Sequence, residues 1–184
     1  MNQEEKISYL RGITRSIVDY PKKGIIFRDL TTVFQDKKAM ALVTEILSAA
    51  MKEDIQSGLV NKMVAIEARG FVLAGAISGS IGGGIVLVRK AGKLPSKTRS
   101  LAYQLEYGED ALEIHEDAIE PGDQVVVIDD LLATGGTAEA GCKLVESLGG
   151  VVRKILFLVE LPDLGGRKRL SGYHVESVYT FEGE

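Results

Sequence analysis

The stretch QVVVIDDLLATGGTAEA, residues 124–140, decides the fold. Its apolar opening reads as a buried strand, and the strand runs straight into two adjacent acids, Asp129 and Asp130. A short loop follows, then a helix starting near Thr137, with Ala138, Cys142, Val145 and Leu148 on one face and Gly149 as C-cap. Ligands of open α/β sheets bind at the carboxyl ends of strands, where this loop lies. Thr134, Gly135, Gly136 and Thr137 put backbone N–H groups and two hydroxyls at a helix N-terminus and form a phosphate cradle. Carboxylates beside such a cradle would repel a bare phosphate. They make sense as acceptors for sugar hydroxyls, so the segment reads as a ribose-5-phosphate grip. The competing reading, an acidic cap before an ordinary glycine turn, would win for a lone Gly-Gly but not for this whole pattern.

Outward from this unit, KMVAIEA (62–68), GIVLVRK (84–90), KILFLVEL (154–161) and VESVYTF (175–181) read as further strands. Helices are expected over 3–17 (Ile7, Leu10, Ile13, Ile17), from an Asp36 N-cap through Met51, and over 71–80. Buried strands alternating with helices predict an α/β fold, an open, mostly parallel sheet with helices on both faces. With 184 residues, and no repeat or linker, the chain reads as a single domain. Within it, about 1–35 would form an N-terminal hood and about 91–110 a flexible lid, since the latter breaks the alternating pattern.

Composition narrows the function. Twenty-two basic against 26 acidic residues give a net charge of −4, which weighs against nucleic acid or an anionic membrane surface as partner. A single cysteine excludes an intramolecular disulfide framework and suits a reducing compartment, so a cytoplasmic protein is expected. No apolar run is long enough to span a membrane. A P-loop is absent, and GSIGGG (79–84) precedes a strand rather than opening a helix, which disfavours a dinucleotide fold. His115 and His174 have no Ser or Cys motif beside them, and Cys142 reads as core.

Against that acidic background RKAGKLPSKTR (89–99) carries five basic residues in eleven, beginning where a strand ends. A solvated loop is the bland reading; a second polyanionic group on the same ligand is the sharper one, with Arg69 a further candidate. Ribose-5-phosphate plus a polyphosphate suggests phosphoribosyl pyrophosphate, bound with Mg²⁺.

The combination of GIIFRDLT (24–31), ARGF (68–71), VRKAGKLP (88–95), YQLEYG (103–108) and VVVIDDLLATGGTAEA closely resembles the adenine-specific branch of the type I phosphoribosyltransferase family. The resemblance implies transfer of a phosphoribosyl group to adenine, giving AMP and pyrophosphate, by a homodimer. It implies that Asp129 and Asp130 hold the ribose hydroxyls and that Ala133, Thr134, Gly135, Gly136 and Thr137 hold the 5′-phosphate. Arg69, Arg89, Lys90 and Lys93 would bind pyrophosphate, and Ile26, Phe27 and Arg28 the adenine. Glu106 would be the catalytic acid on the lid, with Tyr107 helping to close it, and Mg²⁺ would be held mainly through substrate and water. The chain departs from the family's common pattern at Glu67-Ala68 (often Asp-Ser), at Thr32 (often Pro) and at Ser96 (often Gly). Alternatives are transfer to xanthine, hypoxanthine or orotate, and a regulator that binds the same ligand without catalysis.

Overall fold

The computed structural model describes residues 1–105 and 108–183. In chain order it has α1 (Gln3–Ile13), β1 (Arg15–Val18), β2 (Ile26–Asp29), α2 (Thr31–Gln35), α3 (Lys37–Gln56), β3 (Lys62–Ile66), α4 (Arg69–Ile81) and β4 (Gly84–Lys90). Then follow β5 (Thr98–Leu105), β6 (Gly108–His115), β7 (Gln124–Leu132), α5 (Gly136–Ser147), β8 (Val151–Glu160), a 3₁₀ turn (Pro162–Leu164), α6 (Gly166–Arg169) and β9 (Val175–Thr180).

Seven strands form one sheet in the order β5-β6-β4-β3-β7-β8-β9. The run from β4 to β9 is parallel, whereas β6 joins β4, and β5 joins β6, antiparallel. Successive side chains on a strand face opposite ways, and the two cores follow from that. Met63, Ala65, Val126 and Ile128 meet α3 and α4 on one face. Val64, Ile66, Val125 and Val127 meet α5 on the other. Cys142 lies in this second core, where burial pushes its thiol far up, so packing accounts for it. No described helix is long and apolar enough to cross a membrane.

One expectation needs amendment. The helix predicted over 3–17 ends at Ile13, and Ile17 lies instead in β1, opposite Phe27 of β2. Thr14 stops the helix: its backbone turns extended and its hydroxyl donates to the Leu10 carbonyl at 2.8 Å. The i, i+4 spacing of Ile13 and Ile17 survives by coincidence, because the partner that recruits Ile17 is distant in sequence. Within 91–110, where the sequence shows a short alternating piece, lie β5 and the start of β6. The Asp36 cap is where the sequence puts it, accepting from the Ala39 N–H at 2.7 Å.

After β3 the chain passes through α4 to β4 on one side, while β7 pairs on the other side of β3. Strand order therefore reverses between β3 and β7. Their carboxyl ends, carrying Glu67–Arg69 and Asp129–Thr137, meet at the one crevice such a sheet offers a ligand.

Candidate active site

A cavity of about 300 Å³ opens at that crevice, lined by Glu67, Ala68, Arg69, Lys90, Tyr103, Asp110, Leu112, the continuous run Asp129–Ala138 and Phe157. On one side is the β7–α5 turn. Gly135 has φ of +80°, a left-handed conformation open to glycine without a Cβ penalty, and it turns the chain abruptly into α5. The first-turn N–H groups of α5 have no partner within the helix and point, with the positive end of its dipole, into the cavity.

The two acids differ. Asp130 is buried, and its Oδ2 pairs with the Arg69 Nε at 2.7 Å. The Asp129 Oδ1 accepts from the Asp130 N–H at 2.9 Å. Burial raises the Asp129 carboxyl well above the usual carboxylate range, and the neighbouring Asp130 charge adds to it. Burial also raises Asp130, with Arg69 opposing. Buried as they are, these acids are costly groups that gain from hydrogen-bond donors or a cation.

The opposite side is basic. The Lys90 ammonium pairs with Asp110 at 3.0 Å, and the hydrogen bond holds the Asp110 carboxyl below its ordinary value. Arg89 and Lys93 stand behind Glu67: its Oε2 accepts from the Arg89 Nε at 3.2 Å and its Oε1 from the Lys93 Nζ at 2.6 Å.

Of the residues selected from sequence, Asp129, Asp130, Ala133, Thr134, Gly135, Gly136, Thr137, Arg69 and Lys90 line one cavity. Arg89 and Lys93 reach its wall through Glu67. Ile26, Phe27 and Arg28 lie on β2, away from the cavity lining. There Phe27 meets the Tyr20 ring edge-on, and Arg28 stacks over Phe181 at 4.2 Å from the ring centre. Asp29 fixes this hood strand by accepting from Arg15 at 2.6 and 3.0 Å. Glu106 and Tyr107 fall outside the described residues.

Sequence reasoning missed Glu67, Asp110 and the buttress behind the cradle. That buttress is α6. A Cβ placed on Gly166 would stand 2.2 Å from the Ala133 carbonyl oxygen, so only glycine lets α6 touch the cradle. Arg167, the next residue, locks α6 by donating to both Glu160 oxygens at 2.8 and 2.5 Å and to the Val175 carbonyl at 2.8 Å. The Arg167 hydrogen bonds hold the Glu160 carboxyl below its usual range. The sequence signal is thin, a Gly-Gly-Arg after an apolar strand.

Among the described residues no group of three or more His, Cys, Asp or Glu converges as a metal site. Two carboxylates, one already committed to Arg69, do fit a Mg²⁺ that arrives on a diphosphate and keeps most of its positions for substrate oxygens and water.

Comparison with known proteins places this geometry. A model of the phosphoribosyl transferase domain matches residues 30–178. The adenine phosphoribosyltransferase of Cereibacter sphaeroides is 50% identical over 177 residues, covering 95% of this chain and 97% of that protein. The crystal structure of the adenine phosphoribosyltransferase from Thermoanaerobacter pseudethanolicus is similar at a TM-score of 0.88 and 48% identity, over 95% of this chain and 99% of that one. The enzyme of that name from Saccharomyces cerevisiae, complexed with an imino-altritol bisphosphate and adenine, matches at a TM-score of 0.89 and 31% identity over 95% and 99%.

Proposed function

We propose a reaction scheme on one premise: the chain belongs to the adenine phosphoribosyltransferase family, within the phosphoribosyl transferases. It is a pentosyltransferase that moves the 5-phosphoribosyl group from phosphoribosyl pyrophosphate to adenine, giving AMP and pyrophosphate in purine salvage. One observation carries the residue assignments: the acids and cradle of β7–α5 face the basic wall of β3–β4 across a single cavity.

The cradle Ala133–Thr137 receives the 5′-phosphate on the N–H groups of α5. Asp129 and Asp130 accept from the ribose hydroxyls, which supply the donors that burial has withheld. Arg69, Arg89, Lys90 and Lys93 lie towards the leaving diphosphate. As the bond from the anomeric carbon to the diphosphate oxygen breaks, positive charge spreads over the sugar and negative charge collects on the leaving group. The basic wall is already in place where that negative charge develops. Backbone groups of Ile26, Phe27 and Arg28 read the adenine edge. Glu106 takes the purine ring proton as the nitrogen attacks, a role worth roughly 10²–10⁴ in rate, and Tyr107 helps the 91–110 segment exclude water. Mg²⁺ would be held mainly through the substrate and water beside Asp129 and Asp130, and would supply neutralisation of phosphate charge.

The assembly we infer is a homodimer. Ile85 and Leu87 are 39% and 40% exposed on one side of β4, and Val72 is 43% exposed on α4, which packs against that strand. An exposed apolar surface of this kind suits a second copy. The lone, unpaired Cys142 suits the cytoplasm.

The test is product formation with Mg²⁺, phosphoribosyl pyrophosphate and, separately, adenine, hypoxanthine, guanine, xanthine or orotate. AMP from adenine alone is expected. Product only from another base would overturn the hood assignment. Binding of phosphoribosyl pyrophosphate with no product from any base would favour a regulator.

A further inference from the structure

We propose that Glu67 is a positioning residue of the basic wall: its carboxylate gathers Arg89 and Lys93 beside the cavity, and its link to Lys93 is surrendered when a diphosphate enters. The inference rests on the pyrophosphate reading of that wall given above.

The Glu67 side chain is only 10% exposed, yet it lines the cavity. Its two oxygens are used differently. Oε2 accepts from the Lys90 backbone N–H at 3.0 Å and from the Arg89 Nε at 3.2 Å, both parts of β4 and its side-chain stem. Oε1 accepts from the Lys93 ammonium at 2.6 Å, and Lys93 is 48% exposed in the segment beyond β4. The Lys93 carbonyl in turn accepts from an Arg89 Nη at 3.0 Å, so the three residues close a ring. Burial alone would raise the Glu67 carboxyl, but hydrogen bonds from Lys93, the Lys90 N–H and Arg89 outweigh it and hold the group below its ordinary value.

The ring has one weak side. The Lys90 link is backbone and cannot leave without rebuilding β4, and Arg89 is tied at two points, its Nε to Glu67 and an Nη to the Lys93 carbonyl. An ammonium on a flexible stem exchanges partners freely. A diphosphate carries more charge than one carboxylate and approaches from the open side, so it captures Lys93 first. Glu67 therefore does two opposing things: it pre-positions Arg89, which favours binding, and it occupies Lys93, which opposes it.

Glu67→Gln separates the two. The amide oxygen keeps the Lys90 and Arg89 bonds, while the attraction for Lys93 is lost. Glu67→Ala removes both. The measurement is the Kd of inorganic pyrophosphate, by titration calorimetry, for the unmodified protein, both variants, Lys93→Ala and the Glu67→Gln/Lys93→Ala double variant. Glu67→Gln is expected to bind pyrophosphate about two- to fivefold tighter, the size of a half-exposed ion pair. The gain should vanish once Lys93 is gone, and Glu67→Ala should bind more weakly than Glu67→Gln. A gain that persists without Lys93 would overturn the latch, leaving only a general field effect, and no gain at all would do the same. Glu67→Ala binding as tightly as Glu67→Gln would overturn the positioning of Arg89. No binding of pyrophosphate by the unmodified protein would overturn the reading of the wall and this inference with it.

Discussion

Replacing Gly166 by alanine should damage phosphate binding from a residue outside the cavity lining. The added Cβ would lie 2.2 Å from the Ala133 carbonyl oxygen and 2.6 Å from a Leu132 methyl, where real contacts stay beyond 3.0 Å. The two segments must therefore part by about 1 Å. α6 is poorly placed to retreat, because Arg167 is locked to Glu160 and Val175, and Arg169 pairs with Glu139 of α5 at 2.6 Å. The displacement falls on the Ala133–Thr134 peptide, which is the cradle itself. A misplacement of that size costs on the order of 10²-fold in a positioned reaction, and overpacking costs about 1–3 kcal/mol of stability. For a chain of this length the latter lowers Tm by about 2–4 °C per kcal/mol. The assay is kcat/KM for phosphoribosyl pyrophosphate together with thermal melting. Gly172→Ala serves as control, since a Cβ there meets nothing within 4 Å. Unchanged kcat/KM in Gly166→Ala would refute the reasoning, and so would a stability loss alone, because α6 would then be the part that yields.

Asp130→Asn should raise KM for phosphoribosyl pyrophosphate by about 10–100-fold, the worth of a hydrogen bond to a charged acceptor, and it also strands Arg69; steady-state kinetics would show it. Asp129→Asn should raise the Tm of the ligand-free protein at neutral pH while abolishing turnover. The sign follows from the raised Asp129 carboxyl: stability present below its ordinary value of 3.8 is lost as pH rises through the folded-state value. The advantage of Asn should therefore disappear in melts taken below that ordinary value. Gly12→Ala, in exposed α1 with nothing within 4 Å of the new methyl, should stabilise by about 0.5–1 kcal/mol in denaturant unfolding.

What could be read in advance was whatever is contiguous. Residues 124–149 contain strand, acids, turn and helix in one run, and the periodicities of 2 and 3.6 each mark their own part. Ile17 failed because its partner Phe27 is ten residues away across a hairpin, and helical spacing carries no trace of that pairing. Glu67 and Gly166 failed for a stronger form of the same reason. An isolated acid or glycine has no period, and each acquires its role only from side chains or carbonyls some 20 to 35 residues away. The sequence likewise showed five cations around Lys93 but not the two carboxylates, Glu67 and Asp110, that hold Arg89, Lys90 and Lys93.

The pairing of β3 with β7, Lys62 opposite Val125, has a consequence in time. The cavity does not exist until a loop of about 60 residues has closed, and such non-local contacts form slowly. A nascent chain emerging from the ribosome displays both aspartates and the glycine turn well before residues 160–175 have appeared to brace them. Competence to bind is thus a late event in the life of each molecule, and a ligand that recognises the cradle selects only chains that have finished folding.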